Sequence, residues 1–327
     1  MPDIDMTVTT DDGIPLAGTL TLPAGPGPHP AVLLLHGSGP LDREGNTPKL
    51  RVNLARPLAD ALAGAGIATL RYDRRGVAGT PGDWRTTGFT DNRRDAATAL
   101  RALAARSDIR ADALAVVGHS EGALHGMALA AREDVRAAVL LAGFARVGED
   151  ALRWQARSVA SGLPAPLRLL RRPLGAAGNR VLARIKKTRT DMARIAGLPV
   201  NARWMREMLV HDTRDDLAAV TVPVLAVTGA KDIQVDPGDL DVIRRLVPGG
   251  AEIHRVPDLT HLLRLDPGHH GIRSYPRLVR TPVDPGVLAL VTRWLAARLG
   301  ADAGADANVD SGGATAEAGK HTATHTP

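Results

Sequence analysis

Gly118-His119-Ser120-Glu121-Gly122 decides how this chain is read. An apolar run, Ala113-Leu114-Ala115-Val116-Val117, precedes it, and a helix-like run from Ala123 to Ala130 follows. Strand, G-x-S-x-G and helix together are the context of a nucleophile elbow. In so tight a turn the residues two before and two after the serine crowd each other, and glycine at both leaves room. The turn exposes the serine hydroxyl and aims the amides of the next helix's N-terminus at it, where they favour negative charge.

Outward from the elbow, strand-like and helix-like runs alternate. Met6 to Thr10 and Leu16 to Leu22 read as a hairpin turned at Asp12-Gly13. Ala31 to Leu35 is continuously apolar, as a strand buried on both faces should be. Leu54 to Gly64 reads as helix, Ile67 to Tyr72 as strand, Asn92 to Ala105 as helix and Ala137 to Leu141 as strand. Val224 to Thr228 and Glu252 to Val256 resume the strands, and Val287 to Leu299 is a closing amphipathic helix. The alternation predicts an α/β protein: a mostly parallel sheet with helices on both faces.

Between two of these strands, from Val147 to Leu217, every signal is helical. Val181, Ile185, Thr188, Met192 and Ile195 stripe one face, and Trp204, Met205, Met208 and Leu209 make a second stripe. Either stripe satisfies the packing of an ordinary core helix. Their place beyond the C-terminal edge of the sheet points instead to a lid that excludes water. The division expected is a first core segment over 1–146, an inserted helical lid over 147–217, a second core segment over 218–299 and a disordered tail over 300–327. That tail is Ala, Gly, Thr, Asp and His with almost no large apolar residue.

The 327 residues carry a net charge of +6, no cysteine and only 2% aromatic residues. The core must therefore be built from Leu, Val, Ala and Ile, and disulfides and thiolate chemistry are excluded. Residues 151–214 hold 14 Lys or Arg against Asp191, Glu207 and Asp212, a net of +11, which leaves about −5 for the remainder. A solvated basic face explains this most simply; attraction to acidic substrates or a membrane surface are the sharper readings. No recognition motif accompanies the charge, so no nucleic-acid partner is expected. The N-terminus lacks the features of a signal peptide and no run approaches a membrane span, which predicts a cytoplasmic protein.

A serine nucleophile needs a base, and the base an orienting acid, here in the order Ser, acid, His. Asp232 stands just past Val224 to Thr228, where an acid faces the crevice at the strand ends. Asp236, Asp239 and Asp241 lie further into the next loop and helix, and the strand before offers no acid ahead of Glu149. His261 lies in the loop beyond the last strand; His254 falls inside that strand and His269-His270 too far along. The oxyanion needs two fixed N–H donors. One is the backbone of Glu121; the other comes from His36-Gly37-Ser38-Gly39-Pro40, with Ser38 preferred and Gly37 the alternative.

With these residues in order, residues 6–299 resemble the α/β-hydrolase superfamily, closest to bacterial carboxylesterases whose oxyanion loop reads HGSGP followed by a D-R pair. His36 to Pro40 with Asp42-Arg43, Asp73-Arg74-Arg75-Gly76-Val77-Ala78-Gly79, Gly118 to Gly122 and Asp232-Ile233-Gln234-Val235 are similar to that family's segments. The resemblance implies an eight-stranded sheet and hydrolysis of short-chain esters without metal or cofactor, through an acyl-enzyme on Ser120 with Asp232 and His261. A small-molecule ester is the partner it implies. The same residues serve peptidases, thioesterases and acyltransferases, and a non-catalytic binding protein on this scaffold is the remaining alternative. Thr260 stands where the related loop often carries Asn, and the insertion is unusually Arg-rich. Asp73-Arg74 and Asp42-Arg43 are expected to organise loops by ion pairing.

Overall fold

The computed structural model describes residues 2–162, 171–195, 197–268 and 271–301. Strands β1 (Asp3–Thr9), β2 (Pro15–Thr21), β3 (His29–Leu35), β4 (Ala68–Tyr72), β5 (Ile109–His119) and β6 (Ala137–Leu141) lie in the first half. Helices α1 (Ala55–Gly64), α2 (Phe89–Ala104) and α3 (Glu121–Arg132) are interleaved with them. After β6 come α4 (Gly148–Ser161), α5 (Arg171–Lys187), β7 (Met192–Ile195), β8 (Leu198–Asn201), α6 (Ala202–Val210) and α7 (Thr213–Ala218). The chain then closes with β9 (Val224–Gly229), α8 (Asp239–Leu246), β10 (Ala251–Val256), α9 (Tyr275–Leu278) and α10 (Pro285–Leu299).

Eight strands form one sheet in the order β1-β2-β4-β3-β5-β6-β9-β10. Only β2 runs against its neighbours β1 and β4; every other pairing is parallel. The order reverses between β3 and β5, so the loops after these strands meet at one crevice. In an open parallel sheet that crevice is where ligands bind.

Side chains alternate across each central strand and both faces are buried. Leu114 and Val116 of β5 join Leu33, Leu35, Leu100, Leu103, Leu124 and Met127 under α2 and α3. Ala115 and Val117 join Val32, Leu34, Leu58, Leu62, Val291 and Leu295 under α1 and α10. Among the described residues, Tyr72, Phe89 and Trp294 are the buried aromatic members of these cores, with Phe144 and Trp204 packed against the first, so aliphatic packing dominates as the composition predicts. α10 has well-defined ends: the Asp284 side chain accepts from Val287 N at 2.8 Å, Pro285 opens the first turn and Gly300 closes the last at φ 59°.

Element boundaries shift modestly. β5 begins at Ile109 and runs to His119, and α2 begins at Phe89, where the Asp91 carboxylate accepts from Gly88 N at 2.9 Å. The larger correction falls in the insertion between β6 and β9. It is not all helix, because β7 and β8 pair as an antiparallel hairpin. The stripe read from Val181 to Ile195 ends with α5. There Thr188 turns its N–H and hydroxyl back onto Ile185 O, at 2.9 and 2.7 Å, and Gly197 at φ 80° makes the hairpin turn. Ile185 is buried, whereas Met192 is exposed. The second stripe holds: Met208 and Leu209 are buried in α6. Residues 163–170 of the insertion, the His269-His270 pair and the tail beyond 301 lie outside the described residues. Among those described, no helix is long and apolar enough to cross a membrane.

Candidate active site

Ser120 sits between β5 and α3 with φ 55° and ψ −120°, a backbone conformation that L-residues hold only under constraint from their surroundings. The constraint is visible in the flanking glycines. A Cβ on Gly118 would land on the backbone of Gly122, and one on Gly122 on the carbonyl of Leu35. The elbow thus packs directly against the end of β3, and a Cβ on Gly37 would lie 3.3 Å from Ser120 Cβ.

The three side chains expected from different strand ends come together here. Ser120 Oγ is 3.1 Å from His261 Nε2, and His261 Nδ1 is 2.8 Å from Asp232 Oδ2. The Asp232 side chain is fully buried, and its other oxygen accepts from Gln234 N at 2.7 Å and Val235 N at 2.9 Å. Those amides fix the carboxylate's orientation. The competing acids are engaged elsewhere: Asp236 and Asp239 both pair with Arg146, and Asp241 pairs with Arg244 and Arg255. His254 hydrogen-bonds Glu252 on the outer edge strand.

The loop that carries His261 is held from within. Thr260 N–H and Oγ1 both donate to Arg264 O, at 3.0 and 2.9 Å, so Thr260 closes the turn itself. Arg264 is buried without a carboxylate partner among the described residues; burial lowers its pKa, and its guanidinium donates to the carbonyls of Thr281, Leu262 and Val52. His119 supports the loop from below, its Nε2 lying 2.8 Å from His261 O. Burial, reinforced by the neighbouring His261, pulls the His119 pKa down to about 3 and keeps the ring neutral.

Beside Ser120, the Ser38 N–H has no acceptor among the described residues and Gly37 is buried against the serine. The Glu121 side chain turns inward and is 4% exposed. Its Oε1 lies 3.2 Å from Arg74 Nη1, 3.0 Å from His125 Nε2 and 3.1 Å from Asn92 Nδ2. Burial raises its pKa, but the Arg74 charge and the His125 contact outweigh this and hold the carboxyl below the usual range. His36 is likewise kept neutral, its pKa lowered to about 4 by burial and by Arg74. Asp73 and Arg43 organise loops as expected: Arg43 meets Asp73 through its backbone N–H at 2.7 Å and through Nη2 at 2.7 Å. Asp42 instead caps its own turn, accepting from Glu44 N and Asn46 N.

Three cavities converge on this point. One of about 190 Å³ opens on Ser120 and His261 and is walled by Val52, Leu54, Leu58 and Leu262. A second of about 80 Å³ borders Ser120 and Glu121 and is walled by Phe144, Leu152, Trp204 and Met208. A third of about 340 Å³ lies under the insertion hairpin, between Trp84, Val200, Trp204 and Met205. Ser38 borders all three. Among the described residues, no arginine or lysine of the insertion lines any of them.

Residues 51–268 match the family model described as serine aminopeptidase, S33. The chain belongs to this hydrolase family. Esterase EstD of Thermotoga maritima is 27% identical over 299 residues, which cover 89% of this chain and 66% of that protein. An uncharacterized protein of Mycobacterium tuberculosis, Rv2307c, is 32% identical over 145 residues, 44% of this chain and 47% of that one. This chain therefore accounts for less than two thirds of the length of either relative. Among solved structures, Est1E of Butyrivibrio proteoclasticus with bound ferulic acid aligns with TM-score 0.61 at 19% identity, covering 90% of this chain and 99% of that one. The alpha/beta hydrolase GrgF of Penicillium aligns with TM-score 0.62 at 16% identity, covering 92% and 100%. The fold is that of the α/β hydrolases, with the eight-stranded, mostly parallel sheet expected from the sequence. His119, Arg74, Asn92, Gln234 and Arg264 were not read from the sequence as site residues, although Arg74 follows β4 and His119 and Gln234 stand within the quoted segments.

Proposed function

We propose that the chain is a serine hydrolase of carboxylic esters, working through an acyl-enzyme. The single observation that carries this reading is the continuous chain of contacts from Ser120 Oγ through His261 to Asp232, at 3.1 and 2.8 Å. Ser120 attacks the ester carbonyl while His261 Nε2 takes its proton. Asp232 holds the Nδ1–H tautomer and stabilises the imidazolium, and its two backbone donors keep it oriented. The developing oxyanion is received by the N–H groups of Glu121 and Ser38, with Gly37 N–H as the alternative to Ser38. His261 then protonates the leaving alcohol, and water activated by the same imidazole releases the acyl group. Similarity to esterase EstD supports the choice of ester as substrate.

The cavities support an uncharged, compact substrate. Their lining cations are Arg43, Arg74 and Arg75, and each is neutralised: Arg43 by Asp73, Arg74 by Glu121, Arg75 by Asp12 and Asp95. Among the described residues, an anionic acyl thioester finds no unpaired cation there. The family description raises aminopeptidase activity, which needs a carboxylate to receive a substrate ammonium group. The lining carboxylate, Glu121, is already committed to Arg74 and His125. The cavity of about 190 Å³ corresponds to about six water volumes, room for a short aliphatic group. Residues 147–217 act in this reading as a lid that dries the site.

The test is a chain-length series of p-nitrophenyl esters beside aminoacyl p-nitroanilides and acyl thioesters, run with Ser120→Ala as control. Short-chain esters should turn over fastest, and Ser120→Ala should lose about 10⁴-fold or more in kcat with its circular dichroism unchanged. Full activity in Ser120→Ala would overturn the mechanism, and preference for the anilides would overturn the substrate.

A further inference from the structure

We infer that Arg74 is a positioning residue that clamps the two halves of the oxyanion hole together; this rests on the serine-hydrolase reading above. The two proposed donors belong to separate segments of chain. Ser38 follows β3, and Glu121 opens α3 after β5. Nothing in the sequence joins them, and their spacing has to be fixed to within about 0.5 Å to serve one oxygen atom.

The Arg74 guanidinium touches both segments. Its Nη2 donates to His36 O at 3.0 Å, two residues before Ser38, and its Nη1 lies 3.2 Å from the Glu121 carboxylate. Arg74 is 8% exposed and Glu121 4%. The planar fork presents two donors at a fixed separation, which a lysine does not. The segments are also pressed together directly, since a Cβ on Gly122 would land on Leu35 O and lie 2.9 Å from His36 O. The glycine contact and the guanidinium together leave the hole little freedom to open. Asn92 and His125 hold the same carboxylate oxygen, Oε1, that faces Arg74, which restrains Glu121 further.

A buried ion pair of this kind adds little net stability, because desolvation cancels much of the attraction. Its effect should therefore appear in transition-state binding, where the oxyanion forms, and not in substrate affinity. The experiment compares wild type with Arg74→Met, and with the double variant Arg74→Met/Glu121→Gln, which leaves no unpaired charge behind. Arg74→Met should lower kcat for p-nitrophenyl butyrate about 100-fold, the order of losing one oxyanion donor, with KM within twofold. The affinity of phenylboronic acid, which forms a tetrahedral adduct on Ser120, should fall in parallel. The double variant should recover the Tm lost in Arg74→Met but not the kcat. Backbone 15N order parameters at Ser38 and Glu121 should fall in both variants.

Recovery of kcat together with Tm in the double variant would overturn the clamp, and so would an unchanged kcat in Arg74→Met. Failure of the underlying reading looks different: the wild type would neither turn over esters nor label at Ser120 with a fluorophosphonate. Even then, unchanged 15N order parameters at Ser38 and Glu121 in Arg74→Met would sink the clamp by itself.

Discussion

The walls around Ser120 and the insertion above them use charge in opposite ways. Around the serine, Arg43, Arg74 and Arg75 are each locked onto buried or half-buried carboxylates, and His36 and His119 are kept neutral by burial. In the insertion, Arg157, Arg180, Arg184, Lys187, Arg189 and Arg194 stand exposed, while the inner face offers Leu152, Trp204 and Met208 to the cavities. These described cations of the basic excess are exposed and line none of the three cavities. Fixed geometry belongs to the core, and the insertion contributes apolar cover and a charged exterior. Its attachment is local: Asn201 Nδ2 donates to the carbonyls of Trp84 and Thr87, and Arg203 pairs with Asp91.

This contrast can be broken or sharpened by substitution, beginning where the largest effect is expected. Asp232→Asn leaves the shape but removes the charge that holds His261, and kcat should fall about 10⁴-fold, read by steady-state kinetics on p-nitrophenyl butyrate. Gly122→Ala should cost about 3 kcal/mol, at the upper end for overpacking, because the added methyl meets backbone that has no room to retreat. Urea unfolding would show it as a lowered midpoint.

Glu121→Gln should reveal itself through pH. The folded carboxyl has its pKa depressed below the ordinary 4.5, so its charge stabilises the fold above that value. The contribution is lost as pH falls through the depressed folded pKa. The stability gap between wild type and Glu121→Gln should be widest near neutrality and shrink below about pH 4. A gap independent of pH from 7 to 3 in thermal melts would contradict the assignment.

The insertion should respond weakly, and in one case favourably. A Cβ on Gly178 of α5 meets nothing within 4 Å, so Gly178→Ala should stabilise the helix by up to about 1 kcal/mol. Its Tm should rise slightly, against the large fall at Gly122. Reversing charge with Arg184→Glu and Lys187→Glu should change kcat/KM for neutral esters less than twofold, since exposed charges are screened. A tenfold loss there would mean that the basic exterior takes part in catalysis after all.

Much of the molecule was legible because local pattern and tertiary role coincide. The apolar runs became strands because only a doubly buried strand tolerates so many consecutive aliphatic residues. Ser120, Asp232 and His261 were found because each follows a strand in a known order, and strand ends in a parallel sheet share one edge. The insertion was misread where that logic lapses. Met192 and Ile195 keep helical spacing with Ile185, but the turn at Thr188 and the positive φ at Gly197 redirect the chain into a hairpin. A stripe of spacing four and three carries no record of where a helix stops.

The sequence by itself determined the sheet, its layering and the three residues whose side chains meet at Ser120, because each depends on local patterning and chain order. Only the tertiary structure decided which groups hold them. Arg74 bridges His36 and Glu121, His119 supports the His261 loop, and Arg264 secures it to Val52 and Thr281. These contacts span separations of up to 212 residues along the chain, and no periodicity encodes them. They depend on which side chains burial strips of water, since a desolvated arginine, histidine or glutamate must find its partner wherever the fold has brought one.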